Sequence, residues 1–477
     1  MTEQNACSEM VVVANRLPVR AEITKAGTRW VSSPGGLVAA VAPALSRMKH
    51  ASWVGWSGLA NGAVTPFEHN GVRLVPVRLQ QQEIERFYEG FSNACLWPLY
   101  HDSIEAPGFH RIWWDSYVNV NRKFAEAAAQ AAAPGATVWV HDYQLQLVPR
   151  MLRELRPDLR IGFFLHIPFP ARELFLRIPW RRQIVEGMLG ADVIGFQTSV
   201  TAHNFRYVAP RVSRATSSGK VLNHEGRSIL VGTFPIGIDA DRNAEMAKST
   251  ETASRVEEYR ELLGNPRKVL LGVDRLDYTK GIALRLQAVR ELFDEGRLDP
   301  ADTAVVQIAE PSRGNVPGYQ TVQAEVERLA GGINGDYSSF GTGVINYQHQ
   351  TLPFRDLVAL YRLADVMLVT PFRDGMNLVA KEYVASRTDH TGALVLSEFA
   401  GAAVELRQAI LVNPYDIEDV KDAIETAVNL PVPEQRRRMI AMGKSVHRNS
   451  ATAWAESFLA ALAQFGAGSV VSPAARV

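Results

Sequence analysis

The sequence predicts an α/β protein made of two Rossmann-like domains facing a cleft, and three observations lead there. Short runs rich in Val, Ile and Phe recur at 10–14, 137–140, 160–165, 192–196, 268–273, 304–308, 365–369, 393–396 and 409–412, with helical patterns between them. Many are polar only at their ends, as strands buried on both faces of a parallel sheet are. The third observation is a break. Between about 236 and 266 the strand pattern thins, and Pro235-Ile236-Gly237-Ile238-Asp239 gives way to a charged segment. A chain of 477 residues exceeds one typical core. The expected domains are therefore 1–240 and 241–450, with a helix at about 451–465 packing back on the first domain and a disordered tail at 466–477. Ala125–Ala133 reads as a surface helix stopped by Pro134-Gly135, and 331–343 as a glycine-containing loop.

Composition narrows the function. Lys and Arg total 51 against 50 acids, a balance that favours neither nucleic acid nor an acidic membrane surface. Cys7 and Cys95 are the two cysteines, too few for a disulfide framework and suited to a reducing compartment. No secretory leader pattern and no run of about 18 apolar residues is present. A cytoplasmic location is expected.

Polar residues gather where the strands end. Asn15 and Arg16 follow the first run, His141 and Asp142 the second, and His166 the third. In the second half Asp274 and Arg275, Glu310 and Arg313, and Arg373 and Asp374 do the same. Ligands of doubly wound sheets bind at the carboxyl ends of the strands, so this repetition points to one site served by both domains. His141 and Asp142 are neighbours on an extended segment and point opposite ways, and Asp142 is expected to face the ligand. His166, stiffened by Pro168 and Pro170, offers an imidazole to a sugar hydroxyl or simply packs. Trp53, Trp56, Tyr88, Trp97, Trp113 and Trp114 enrich the first domain in aromatics, most for its core and one or two for a sugar pocket.

The run Thr370-Pro371-Phe372-Arg373-Asp374-Gly375-Met376-Asn377-Leu378-Val379-Ala380-Lys381-Glu382 leads from a strand into a helix. A helix N-terminus presents unpaired N–H donors and about half a positive charge, which suits a diphosphate. Glu382 lies one to two turns further, within reach of ribose hydroxyls. Arg275 and Lys280 flank a turn in Val273-Asp274-Arg275-Leu276-Asp277-Tyr278-Thr279-Lys280-Gly281. Two fixed cations there stabilise a departing nucleoside diphosphate without a metal, unless they merely pair with Asp274 or Asp277. Gly35-Gly36 opens a helix whose N–H groups can approach phosphate. Phosphate-binding G-x-x-x-x-G-K-[ST], dinucleotide G-x-G-x-x-G, zinc H-E-x-x-H, C-x-x-C and nucleophile-elbow G-x-S-x-G patterns are all missing from the sequence. Asp239-Ala240-Asp241 begins like an acidic metal or phosphatase motif that the following residues do not continue. No metal site and no cofactor are expected.

Taken in order, these segments resemble the trehalose-6-phosphate synthase family, retaining glucosyltransferases of the glycosyltransferase-B fold. The resemblance spans nearly the whole chain. It runs through Ala14-Asn15-Arg16-Leu17-Pro18, Gly55-Trp56-Ser57-Gly58, Phe91-Ser92-Asn93, His141-Asp142-Tyr143, Phe163 to Pro170, and Gly195-Phe196-Gln197-Thr198. It continues through Arg275 to Gly281, Pro311-Ser312-Arg313-Gly314, and Arg373 to Glu382.

The resemblance implies transfer of glucose from a nucleotide sugar to glucose 6-phosphate, giving α,α-trehalose 6-phosphate and a nucleoside diphosphate. It implies a diphosphate site of Arg275, Lys280, Gly36 and the Gly375, Met376, Asn377 and Leu378 backbone, with Glu382 on ribose. Asp374 and His166 would orient donor glucose. Arg16, Trp56, Tyr88, Trp97 and Arg313 would bind the acceptor, with Asp142 on its hydroxyls. Retention would follow a front-face route, although Asp142 and Asp374 both stand as nucleophile candidates in the sequence. UDP-, ADP- and GDP-glucose are all admissible donors, and a homo-oligomer is expected. Dephosphorylation of the product is expected of another protein. Two rival readings stand beside this one: a sibling transferase acting on glycerol 3-phosphate or a phosphorylated cyclitol, and a catalytically silent sugar-phosphate sensor.

Overall fold

The computed structural model describes residues 7–24, 27–33, 36–45, 50–62, 64–103, 106–312, 317–339 and 342–465. The chain divides into two compact units, one of Met1–Ile236 with Ala451–Val477 and the other of Gly237–Ser450.

The first unit is built on β1 (Ser8–Arg16), a hairpin of β2 (Val19–Thr24) and β3 (Gly27–Ser32), then β4 (Ala51–Ala60), β5 (Phe67–His69), β6 (Val72–Leu79) and β7 (Ala132–His141). It continues with β8 (Arg160–Leu165), β9 (Val193–Phe196), β10 (Thr216–Ser218), β11 (Val221–His224) and β12 (Arg227–Thr233). Ten of these form one sheet in the order β10-β11-β12-β9-β8-β7-β1-β4-β6-β5. From β12 to β6 every pairing is parallel, and short antiparallel strands close both edges. Successive parallel strands run outward from β1 in one direction through β4 and β6, then restart at β7 on its other flank. The crevice between β1 and β7 is thus a topological switch point, where doubly wound sheets bind ligands.

The second unit contains β13 (Lys268–Arg275), β14 (Thr303–Glu310), β15 (Ile345–Gln348), β16 (Val366–Val369), β17 (Ala393–Ser397) and β18 (Ile410–Val412). They form a six-stranded parallel sheet in the order β15-β14-β13-β16-β17-β18. This is the dinucleotide-fold winding, with its switch point between β13 and β16. Its core joins Leu270, Val305, Val366 and Val395 of the sheet to Leu286, Val289 and Leu292 of helix Ile282–Asp294.

The loop reading of 331–343 is corrected over residues 331–337, which are helical. Helix Pro317–Tyr337 runs through Gly331, Gly332 and Gly335. Val326, Leu329, Ala330 and Ile333 recur at helical spacing and are buried in the core, which offsets the roughly 1 kcal/mol that each helical glycine costs. The tail at 466–477 lies outside the described residues.

Helix Ala451–Phe465 belongs to the first unit. Phe458 stacks on Trp139 with ring centroids 4.6 Å apart, and Trp454 meets Trp139 at 4.9 Å and Phe164 at 5.2 Å. Gly162 of β8 and Gly195 of β9 make room for it, since a Cβ at either would lie 2.6 or 2.8 Å from the Phe458 ring. Phe458→Ala removes this wedge from a site with no exposure. It should destabilise the first unit by about 3–5 kcal/mol, measured as a lower denaturation midpoint in urea.

Candidate active site

In the second unit the loops beyond β13 and β16 meet at the switch point. Phe372 N–H donates to Thr279 O at 2.8 Å, and Gly281, with φ +65°, lets the backbones approach where a Cβ would stand 2.4 Å from Thr370 O. Across this seam Lys280 Nζ donates to Asp374 Oδ2 at 2.7 Å, with side chains 10% and 16% exposed. Asp374 also accepts from Asn377 Nδ2 at 3.2 Å and Met376 N–H at 3.4 Å. The alternative partners for Lys280 are otherwise engaged. Asp274 accepts from Arg285 at 2.7 Å, and Asp277 accepts from Thr279 at 2.9 Å and Tyr319 at 3.0 Å.

Asn377 sits at φ +81°, an uncommon conformation for a non-glycine residue, and its Oδ1 accepts from Ala380 N–H at 3.0 Å. It thereby caps helix Leu378–Ser386 and aims the helix's first N–H groups toward the loop. The turn after β17 staples that loop: Gly401 N–H donates to Asp374 O at 3.1 Å and Ala402 N–H to Met376 O at 2.7 Å. A Cβ on Gly401 would lie 2.0 Å from Gly375 O. Lys381 and Glu382 diverge on the helix. Lys381 is buried against Glu405 at 2.8 Å, while Glu382 accepts from Tyr361 Oη at 3.0 Å. Burial pushes the Glu382 carboxyl up to about 7, and the nearby Glu310 adds to this. Glu310 is itself raised by burial and lowered by Arg275, its register partner across β13 and β14.

Two supporting residues escaped the sequence reading. Arg285, 1% exposed, donates to Asp274 at 2.7 Å, Gln307 at 2.9 Å, Thr370 at 3.0 Å and the Lys280 carbonyl at 3.4 Å. An arginine among the apolar positions of helix Ile282–Asp294 was the available signal. Tyr361, on helix Phe354–Leu363, carried none.

In the first unit Arg16 ends β1, and its guanidinium lies 4.4 Å from the Trp56 ring centroid. Tyr88 meets the same indole edge-on at 6.0 Å. Gly58, at φ +90°, leaves space in which a Cβ would stand 2.9 Å from that guanidinium, which accounts for the second glycine of the Gly-Trp-Ser-Gly run. Asp142 follows β7 at φ +74°, and its Oδ1 accepts from His166 N–H at 3.2 Å. His141 turns inward and is fully buried, within 3.1 Å of His166 Nε2 through its Nδ1. Burial holds the His166 imidazole down to about 3 and His141 well below its usual range, so both are neutral. Trp97 is buried beside His101 and Tyr143 at ring distances of 4.0 and 5.7 Å. Gly36 starts helix Gly36–Leu45. Gly35 and Arg313 lie outside the described residues.

Among the described residues one carboxylate trio has metal-holding spacing, Glu291, Glu295 and Glu418. Lys421 Nζ already sits against them at 3.2, 2.6 and 2.8 Å. No described helix is long and apolar enough to cross a membrane.

Two doubly wound units, each with polar side chains at its switch point, are the framework of a glycosyltransferase of the GT-B fold. The sequence matches glycosyltransferase family 20 over residues 8–464, and the chain belongs to that family. It is 55% identical over 475 residues to a trehalose-6-phosphate synthase of Mycolicibacterium gilvum (strain PYR-GCK), covering 96% of this chain and 94% of that one. It superposes on a UDP-forming α,α-trehalose-phosphate synthase from Burkholderia xenovorans in complex with glucose-6-phosphate, with TM-score 0.87, 34% identity, and 95% and 99% of the two chains covered. A trehalose-6-phosphate synthase structure from work on bisubstrate glycomimetics and enzymatic glycosyltransfer with retention matches with TM-score 0.86 and 34% identity, over 96% and 99% of the chains.

The raised Glu382 carboxyl gives a pH-dependent stability. Its folded value of about 7 exceeds the reference 4.5, so the fold binds this proton more tightly than the unfolded chain does. The resulting stability is complete below 4.5, declines as pH rises, and is gone above about 7. Glu382→Gln keeps an acceptor for Tyr361 and cannot ionise. Its melting temperature should match the parent near pH 5 and exceed it by roughly 2–4 °C at pH 8, read by scanning calorimetry.

Proposed function

We propose that this chain is a trehalose-6-phosphate synthase, moving glucose from a nucleotide-glucose to glucose 6-phosphate with retention at the anomeric carbon. The observation that carries the reading is the Lys280–Asp374 ion pair at the switch point of the second unit, beside the capped N-terminus of helix Leu378–Ser386. A cation and a helix N-terminus together suit a leaving diphosphate, because charge that develops there meets fixed, preorganised donors. In this assignment the second unit holds the donor. Arg275, Lys280 and the backbone of Gly375, Met376, Asn377 and Leu378 bind the diphosphate, and Glu382 the ribose. Asp374, positioned by Lys280 and Asn377, binds donor glucose.

The first unit then carries the acceptor residues. Arg16, stiffened by its stack on Trp56, takes the phosphate together with Tyr88, Trp97 and Arg313, while Asp142 takes acceptor hydroxyls. Gly36 supplies a backbone donor to the diphosphate, and His166 contacts donor glucose. The acceptor's anomeric hydroxyl oxygen forms the new bond to glucose C1 as the C1–O bond to the diphosphate breaks. The acceptor proton passes to a phosphate oxygen of the leaving group. Asp374 accepts from the Lys280 ammonium and the Asn377 amide, contacts that draw charge from the carboxylate and suit it to orienting donor glucose. UDP-glucose is the proposed donor, in keeping with the UDP-forming relative.

Incubation with glucose 6-phosphate and UDP-, ADP- or GDP-glucose, followed by product detection, tests the reading. Trehalose 6-phosphate and nucleoside diphosphate should form in equal amounts, fastest from UDP-glucose, and no turnover with any donor would refute it. Lys280→Ala should lower kcat at least about a hundredfold with the fold retained, as loss of one transition-state charge partner does. Arg16→Ala should raise the KM for glucose 6-phosphate about ten- to a hundredfold and leave the donor KM nearly unchanged. That matches the roughly 1.5–3 kcal/mol of a charged guanidinium–phosphate contact.

A further inference from the structure

The run Gly195-Phe196-Gln197-Thr198 contains a residue whose placement is unexplained by packing or capping. Gly195 yields space to Phe458, Phe196 is core, and Thr198 Oγ1 caps helix Ser199–Val212 by accepting from Thr201 N–H at 3.3 Å. Gln197, 4% exposed, lies just past the end of β9. Its Oε1 accepts from Ile236 N–H at 2.9 Å, and its Nε2 lies 3.4 Å from His166 Nδ1.

These contacts have one consistent direction. A backbone N–H can only donate, so Ile236 holds the amide oxygen on its own side and leaves the amide NH₂ facing His166. A donor aimed at Nδ1 requires a lone pair there, so the His166 proton resides on Nε2. That Nε2–H donates to His141 Nδ1 at 3.1 Å. His141 then carries its proton on Nε2, an atom buried without a hydrogen-bond partner in the structure, in a ring 4.6 Å from Trp139 and 6.4 Å from Trp454. The order Ile236, Gln197, His166, His141 is thus a polarised chain that starts at a backbone amide, which cannot reverse.

We propose that Gln197 is a positioning residue that fixes His166 as the Nε2–H tautomer, so that the imidazole presents a lone pair at Nδ1 to a hydroxyl of the donor sugar. This rests on the reading of His166 as a contact to donor glucose. The 3.4 Å contact to Gln197 is the weakest link of the chain, so a sugar O–H can share or displace it at Nδ1. The 3.1 Å contact between the two histidines meanwhile secures the opposite edge of the ring. The hydroxyl is accepted as a donor, and a group that can only accept is refused. The titratable groups against the His166 residue are His141 at its Nε2 and Asp142, whose carboxylate accepts its backbone N–H.

Nitrogen-15 NMR of histidine-labelled full-length protein, with His166 assigned by its loss in His166→Ala, reads the tautomer independently of turnover. The unsubstituted protein should show His166 protonated at Nε2 alone. Gln197→Glu keeps the shape and replaces the donor by a carboxylate acceptor. It should move the proton to Nδ1, raise the UDP-glucose KM about tenfold and add an acid limb to the pH–rate profile between about pH 5 and 7. Gln197→Leu removes the contact without adding charge. It should lower kcat/KM about tenfold with no new limb. An Nδ1–H tautomer in the unsubstituted protein overturns the proposal, as does a tautomer unmoved in Gln197→Glu, or a moved tautomer with an unchanged donor KM. Absence of trehalose 6-phosphate synthesis by the unsubstituted protein, with the NMR result as expected, refutes the sugar-contact reading and leaves the Gln197–His166 tautomer assignment standing.

Discussion

One buried guanidinium, Arg285, underlies the geometry of the second unit. It lies beneath the switch point and ties together three neighbouring strands: Asp274 of β13, Gln307 within β14, and Thr370 just beyond β16. Taking this charge out of water is costly, and the cost is offset because Asp274 neutralises it and the Gln307, Thr370 and Lys280 oxygens accept from it. Gly272 is part of the same arrangement, since a Cβ there would lie 2.3 Å from Gln307 Oε1 and 2.4 Å from Arg285 Nη1. Such a network tolerates little rearrangement, because each partner lost leaves a buried polar group unpaired. The loops above it inherit that rigidity, including the Lys280 carbonyl held at 3.4 Å.

Rigidity below permits strain above. In each unit a non-glycine residue at positive φ follows the strand that restarts the sheet: Asp142 at φ +74° after β7 and Asn377 at φ +81° after β16. Both lie in the loops that the switch-point rule marks for ligands. Local strain of this kind, of order 1–3 kcal/mol, persists where the surroundings over-determine the backbone. Asp142 N–H is tied to Phe164 O at 2.8 Å, and the loop before Asn377 is stapled by Gly401 and Ala402. The strained residues therefore present side chains and amides at angles that an ordinary strand-to-helix turn does not supply.

The first unit obtains its precision differently, through aromatic packing and neutral histidines. Helix Ala451–Phe465 wedges Trp454 and Phe458 over Trp139 and Phe164, and the same cluster encloses His141 and His166. A low-dielectric surround keeps both imidazoles uncharged, so their hydrogen bonds carry direction without charge. The C-terminal helix is consequently part of what defines the His166 environment, although it is nearly 300 residues away in the chain.

The parallel α/β character of both units was legible because parallel strands buried on both faces are apolar except at their ends, and 160–165 and 268–273 read that way. Strands β4 and β6 escaped because Gly55, Ser57, Arg73, Pro76 and Arg78 break the apolar run, while neighbouring strands supply the hydrogen bonds that hold them. The C-terminal part of helix Pro317–Tyr337 escaped because burial of one face outweighed the glycines at 331, 332 and 335. The chemical types of the site were also legible, since strand-end polar residues announce themselves by position. Their pairings were not. Lys280 chooses Asp374, 94 residues away, over Asp277 nearby because the winding sets β13 against β16 and brings their loops together. Hydrogen-bond direction at His166 likewise depends on β8 lying beside β9 in register. Local pattern encodes which residues are buried; partner and direction follow from inter-strand register, which exists only once distant segments have packed.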